Sequence, residues 1–323
     1  MKLFDIKITK TTLYNHEATG EIPSAQRLKV GKQSIRGWRQ VDLPFLGEKY
    51  GFLDKSLQKK KKIISIYTPK GGVLKSTLAM NFSRILALHN IKTLVIGLDI
   101  QGTITEMFNQ APDINEENID ILDKDEKKDL YLLSHNQVQF SEIVNSTDIP
   151  TLFYIPETPN LVFLEQRIRE QSKREFFFER LLKSYIECFD VIIFDNAPNW
   201  NYICQNSLSL ATDVLSPISC EVNTYYSLAQ NVRIIEEYKS NMNLKWDNFI
   251  LIPTKVNNTV LCKEIETRYR NDLRGKISTS SIRSATIGEQ GSLAKLSAIE
   301  ISPTSNLALD YKELFKEIWK KLN

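Results

Sequence analysis

Lys70-Gly71-Gly72-Val73-Leu74-Lys75-Ser76-Thr77 sets two lysines, two glycines and two hydroxyls in one short run. The glycines let consecutive backbone N–H groups turn inward, and a helix N-terminus favours negative charge. Lys75 can neutralise phosphate oxygens, and the Ser76 hydroxyl can hold Mg²⁺. Together these groups imply a site for a nucleoside triphosphate. Such a loop must be fed by a buried strand and followed by a helix. Ile63, Ile64, Ser65, Ile66 and Tyr67 lead into it, and Leu78, Phe82, Ile85 and Leu86 follow at helical spacing.

Two aspartates complete the chemistry. Asp195 follows the apolar run Val191-Ile192-Ile193-Phe194, and Asp99 follows Thr93–Leu98. A carboxylate leaving a buried strand beside a phosphate loop can bind Mg²⁺, usually through water. Elsewhere, apolar strands alternate with helical patterns at 174–186, 227–240, 260–273 and 307–321. Repeated β-α units imply an α/β fold: a mainly parallel, twisted sheet flanked by helices, with ligands at the C-terminal ends of the strands.

The Lys-Gly-Gly-x-x-Lys-Ser pattern, with Leu74 where the usual P-loop has Gly, closely resembles the deviant P-loop of the ParA/MinD ATPases. The resemblance covers about residues 60–323 and implies a P-loop ATPase that binds ATP/ADP and Mg²⁺ and forms an ATP-dependent homodimer. It implies that Lys70 reaches the partner's nucleotide and that Gly71 to Thr77 cradle phosphate. Ser76, Asp99 and Asp195 then serve the metal, with Asp99 in Asp99-Ile100-Gln101-Gly102 orienting the attacking water. Asn196 stands where the family usually has Thr, and Gly97 where an additional aspartate is frequent. Pro253 and Thr254, in Ile250–Asn257, resemble the segment flanking the adenine. Ile282–Ala285 with Gly288-Glu289-Gln290 resembles a further family segment, as does Pro303-Thr304-Ser305.

The first fifty-odd residues resemble the MerR-like winged helix-turn-helix in front of many plasmid ParA proteins, through Gly20-x-Ile22-Pro23-x-Ala25-x-Arg27 and then Arg36, Trp38 and Arg39. The expectation is a DNA-binding domain over 1–55, with Arg36 and Arg39 on small helices facing an operator, and an ATPase domain over 56–323. Nonspecific DNA contacts are expected from Arg268, Arg270, Arg274, Arg283 and Lys295; the first three cannot all share one helix face. The partners implied are DNA and a ParB-like adaptor.

With 42% hydrophobic and 25% charged residues, a net charge of +3 and unpaired Cys188, Cys204, Cys220 and Cys262, the chain reads as a cytoplasmic, nucleoid-associated protein. Nothing in it suggests a zinc or iron–sulphur site, and no apolar run is long enough to span a membrane. The lysine run Lys59–Lys62 reads as a solvated linker near a domain boundary at about 52–62, and Asn115–Lys128 as a polar surface insertion. Two alternatives remain. One is a MinD-like membrane-associated ATPase, using the stripe Leu314, Phe315, Ile318, Trp319 and Leu322. The other is a transcriptional repressor with a nucleotide switch.

Overall fold

A computed structural model describes residues 2–30, 33–58, 60–109, 127–285 and 294–323. The N-terminal part contains α1 (Lys10–Ala18), the hairpin strands β1 (Gln26–Val30) and β2 (Gln33–Gly37), and α2 (Leu43–Tyr50). There follow β3 (Lys62–Ile66), α3 (Lys75–Leu88), β4 (Thr93–Leu98), α4 (Thr103–Phe108), α5 (Leu130–Ser134), α6 (Phe140–Ile143), β5 (Asn145–Ser146) and β6 (Leu152–Ile155). The remainder is α7 (Leu161–Arg169), α8 (Phe177–Ile186), β7 (Val191–Asn196), α9 (Tyr202–Leu210), β8 (Asp213–Ser219), α10 (Val222–Asn241), β9 (Asn248–Thr254), α11 (Val260–Asp272), α12 (Ala298–Ile301) and α13 (Asn306–Leu322).

These strands build a seven-stranded sheet in the order β5-β6-β4-β7-β3-β8-β9, parallel throughout except for β5 on β6. Every residue of β3, β4, β7 and β8 is buried, as expected for a sheet covered on both faces. Helices α3 and α13 cover one face, where Phe82 and Phe315 stack with ring centroids 4.5 Å apart. Helices α7 and α8 pack on the other through Leu164, Ile168, Phe178 and Leu182. The register pairs Ile66 and Gly97 with Asp195 on either side, so β3, β4 and β7 deliver the phosphate loop, Asp99 and Asp195 to one edge.

Four sequence readings change. Arg36 lies in β2, directly opposite Arg27, and Arg39 precedes a 3-10 turn, so neither sits on a helix. The alternation Arg27-Leu28-Lys29-Val30 in the facing strand is a strand period, and the hairpin outcompetes a helix there. Lys62 is not solvated: it opens β3, buried, between Asp213 at 3.5 Å and Asp247 at 3.0 Å. Lys61 pairs with Glu187 at 2.7 Å. Leu314, Phe315, Ile318, Trp319 and Leu322 are all buried in the core, where each contributes about 1.5–3 kcal/mol; that stripe is therefore unavailable to a bilayer. Among the described residues no helix is long and apolar enough to cross a membrane.

The fourth change concerns the N-terminal segment. Phe4, Leu13, Ile22, Leu46 and Leu53 belong to the same continuous core as α3 and α13, instead of forming a separate one. A Cβ on Gly47 would lie 1.8 Å from the Leu88 carbonyl oxygen, so only glycine lets α2 approach α3 this closely. His89 is the bolt: its Nε2 accepts the Phe52 N–H at 3.0 Å, and its Nδ1 donates to the Ile85 carbonyl at 2.7 Å. Trp319 Nε1 donates to the Asp54 carbonyl at 2.7 Å. The sequence readings at Lys59, over most of Asn115–Lys128 and at Gly288-Glu289-Gln290 lie outside the described residues.

Candidate active site

The loop after β3 is anchored before it turns. Thr68 Oγ1 donates to the Pro217 carbonyl at 2.7 Å, which ties the loop entrance to β8. Gly72 and Leu74 both take positive φ, 69° each. Gly72 is suited to this; Leu74 is not and carries strain where the usual pattern has glycine. A Cβ on Gly71 would meet nothing within 4 Å, so open space adjoins the loop there. Thr254 Oγ1 donates to the Val73 carbonyl at 3.1 Å and fixes the loop from behind.

Lys75 is the first residue of α3 and is largely buried. Its ammonium donates to the Lys70 carbonyl at 2.9 Å and so spans the loop. Burial depresses its pKa, while the charges of Asp195 and Asp99 oppose the shift. Ser76 and Thr77 follow, partly exposed, on the first turn of α3. Lys70 turns away from the loop: its Nζ donates to Thr224 Oγ1 at 2.5 Å and lies 3.7 Å from Glu221.

Asp195 is completely buried, and neither carboxylate oxygen meets a donor in hydrogen-bonding geometry. Burial pushes its pKa up to about 8; the nearby Ser76 hydroxyl draws it down, and the charge of Glu157 adds to the rise. An orphaned buried carboxylate beside a lysine and a hydroxyl is the arrangement a divalent cation satisfies, so these residues fit Mg²⁺. Among the described residues no cluster of three His, Cys, Asp or Glu could hold a metal unaided, so part of a cation's shell must come from phosphate or water. Asn196 does not face the site. Its amide donates to Ser65 and the Ile66 carbonyl, both at 3.0 Å, and its Oδ1 accepts from Ser207 at 2.6 Å, stitching β3 to β7.

Two cavities flank the loop. One, of about 480 Å³, is lined by Gly71, Gly72, Lys75, Ser76, Asp99 and Pro198, and suits a phosphate chain. The other, of about 340 Å³, lies between Leu74, Glu221, Lys255, Asn257, Ile282 and Tyr311, and has the apolar walls and polar rim of a base pocket. Pro253 and Thr254 are buried and line neither cavity; the second cavity is reached by Lys255 and Asn257 just after them.

Sequence reasoning missed three residues here. Lys255, at φ 55°, lies 3.6 Å from Glu221, and its Nζ is 3.9 Å from where a Gly72 Cβ would be. Glu221 itself bridges Lys255 and Lys70, its carboxyl held below the usual range chiefly by the Ser219 hydroxyl. Glu157 is buried beside Asp99 and Asp195, with its pKa pushed up to about 7 by burial. Lys255 lay inside the quoted Ile250–Asn257 segment, and its cation was the signal available; Glu157 and Glu221 had none.

The expected DNA-binding cations divide. Arg283 lines the base pocket and grips Asp310 through two hydrogen bonds of 2.6 and 2.8 Å. Arg268 pairs with Glu264, and Arg270 with Glu266 and the Ser278 carbonyl. Arg274 is exposed beyond the end of α11, and Lys295 adjoins the undescribed residues 286–293.

A family model described as an AAA domain matches residues 61–247, more than half of the chain. Chromosome partitioning protein ParA of Myxococcus xanthus is 30% identical over 192 residues, 59% of this chain and 64% of that protein, so the match spans just under two thirds of that relative. Sporulation initiation inhibitor protein Soj of Bacillus subtilis is 27% identical over 262 residues, covering 80% of this chain and 98% of that one. In fold, the chain is similar to apo McdA from Cyanothece (TM-score 0.69, 18% identity, 81% of this chain and 100% of that one). A plasmid partition protein from Borrelia burgdorferi bound to AMPPNP aligns with TM-score 0.60 and 22% identity over 81% of this chain and 98% of that one. With the AAA-domain match over the loop and both aspartates, the chain belongs to the ParA-type P-loop ATPases.

Proposed function

We propose that the protein is an ATP-driven DNA partition ATPase: it dimerises on binding ATP, grips DNA, and is reset by hydrolysis that a ParB-like adaptor stimulates. The observation that carries this reading is the pairing of Lys75, spanning a loop opened by a second lysine, with the unpartnered buried carboxylate of Asp195. The loop backbone and Lys75 bind the triphosphate, and the base enters the pocket rimmed by Lys255, Asn257 and Tyr311. Ser76 and Asp195 would hold Mg²⁺, with Asp99 near its shell; bound there, the cation neutralises phosphate charge. Asp99 Oδ1 already accepts the Gln101 N–H at 3.1 Å, which fixes the carboxylate at the mouth of the phosphate cavity to orient a water. Lys70 acts on the nucleotide of a second copy.

DNA engagement has two parts. Nonspecific contacts come from the C-terminal half, with Arg268, Arg270, Arg274 and Lys295 as candidates. Operator recognition falls to the N-terminal hairpin, where Arg27 and Arg36 sit directly opposite each other and line a cavity with Ala25 and Ser34. Arg36 is already paired with Glu17 at 2.5 Å, so a phosphate would compete with that carboxylate while supplying a counter-charge to Arg27. This cycle belongs in the cytoplasm, on the nucleoid.

The test is sedimentation velocity with Mg²⁺ and a non-hydrolysable ATP analogue, followed by binding to random-sequence DNA. A nucleotide-dependent dimer that retains DNA, with affinity falling steeply with salt, is expected. A monomer in every nucleotide state sinks the reading.

A further inference from the structure

Gly97 in β4 is the residue that pairs with Asp195, and its missing side chain leaves a space that another residue fills. A Cβ built on Gly97 would lie 2.3 Å from Glu157 Cδ and 2.5 Å from Glu157 Oε1. Glu157 comes just past β6, the parallel neighbour of β4. Its carboxylate is turned inward and is almost wholly buried. There it meets the first turn of α4: Oε2 accepts the Thr105 N–H at 2.8 Å and the Thr105 hydroxyl at 3.0 Å, and Oε1 accepts the Ile104 N–H at 3.4 Å. The Glu157 N–H also donates to Thr105 Oγ1 at 2.8 Å, so the two residues grip each other.

The clamped turn is the far end of the Asp99 loop. Between β4 and α4 stand only Asp99, Ile100, Gln101 and Gly102, and the Gly102 N–H donates to the Asp99 carbonyl at 3.0 Å. The Glu106 N–H then donates to the Gly102 carbonyl at 2.9 Å. A carboxylate that fixes Ile104 and Thr105 therefore fixes where Asp99 points. A helix-capping role alone would not need the acid in this position, since a surface Ser or Asp at the cap satisfies the same N–H groups without burying a charge.

We propose that Glu157 is a positioning residue for phosphoryl transfer: seated in the space left by Gly97, it clamps α4 and holds the Asp99 carboxylate in register with the phosphate loop. This rests on the nucleotide site proposed above. Glu157 acts through Asp99 and touches neither nucleotide nor cation.

The experiment compares the full-length protein with Glu157→Gln and Gly97→Ala, each measured three ways. These are thermal unfolding, affinity for a fluorescent ATP analogue with Mg²⁺, and turnover set beside affinity for ADP–aluminium fluoride. Glutamine keeps the shape but not the full acceptor set, and alanine at position 97 forces the carboxylate away. Glu157→Gln should melt near wild type, Gly97→Ala should melt lower because it displaces a buried carboxylate, and both should bind the ATP analogue within about twofold. Both should lose about ten- to hundredfold in kcat, with a matching loss of affinity for the aluminium fluoride complex, because a misplaced orienting group is felt only in the transition state. Wild-type turnover in either variant overturns the proposal. So does a loss of ATP affinity and melting temperature in parallel with kcat, which marks a purely structural cap. If the wild-type protein itself fails to bind the ATP analogue, the nucleotide-site reading fails, a result distinct from both.

Discussion

The Lys75 ammonium donates to the Lys70 carbonyl oxygen at 2.9 Å, so the lysine that closes the loop holds the backbone of the lysine that opens it. Their side chains then part. Lys75 stays inside, among Asp195 and Asp99, while Lys70 leaves the loop for Thr224 and Glu221. One ammonium stays within the loop, and the other leaves it.

Removing each lysine should therefore have a different effect. Lys70→Ala should keep nucleotide binding within a few-fold while hydrolysis falls more than about a hundredfold, as when a charge supplied in trans is lost. Stopped-flow binding and phosphate release, measured on the same preparation, check this. Full activity in the variant ends the trans assignment.

Lys75→Ala should weaken ATP itself by about ten- to hundredfold, the value of one charge-assisted contact to phosphate. Asp99→Ala should leave affinity alone, cut kcat by at least about a hundredfold, and accumulate the ATP-bound dimer. Size-exclusion chromatography with ATP and Mg²⁺ reads that accumulation; normal hydrolysis by the Asp99 variant removes the role given to its carboxylate.

The hairpin assignment is tested by point changes, not by deletion. Removing residues 1–55 would strip Phe4, Leu13, Leu46 and Leu53 from the core, so the truncated protein should be unstable. Arg27→Ala with Arg36→Ala touches no core residue, but losing Arg36 leaves the largely buried Glu17 carboxylate without its cation, so thermal unfolding is measured on the double variant alongside DNA binding. Operator footprinting should vanish in the double variant, while ATP-dependent binding to random DNA persists. A retained footprint excludes the hairpin.

His89 makes stability depend on pH. Burial pushes its pKa down to about 4, against an ordinary 6.5, so the unfolded chain binds the proton first. The neutral ring's contribution is complete above about pH 6.5 and is lost as pH falls toward 4, on the order of 3 kcal/mol in all. Glu157 and Asp195, raised to about 7 and about 8, act the other way and gain stability as pH falls through those values. Comparing wild type with His89→Gln in denaturant melts from pH 7.5 to 4.5 cancels them. The gap between the two proteins should narrow steadily below pH 6.5; a constant gap refutes the account.

What the sequence made legible was whatever is local. The loop, its strand and its helix are consecutive, so spacing alone placed Lys70, Lys75 and Ser76, and the runs before Asp99 and Asp195 placed both carboxylates at strand ends. Glu157 is different. It gains meaning only because β6 lies beside β4 and because position 97 lacks a side chain, a relation between distant residues that no local pattern encodes. Glu221 and Lys255 likewise meet only through the pairing of β8 with β9. At the N-terminus the signal was present but misread. Arg27 and Lys29 alternate with Leu28 and Val30 at a strand period, and positive charge drew the reading toward a helix. Lys62 shows the reverse error, since a lysine run looks solvated until Asp213 and Asp247 arrive from other strands.

The seam around His89, Gly47 and Trp319 fixes α2 and the segment after it to the ATPase body, close in sequence to the arginine hairpin. A hairpin so placed goes where the ATPase body carries it. In the proposed cycle, two bodies closing on ATP would fix the distance and angle between their hairpins. On separation, the hairpins would lose that spacing together. A pair of half-sites on DNA would then act as a gauge of the nucleotide state, matched by one assembly and missed by the other.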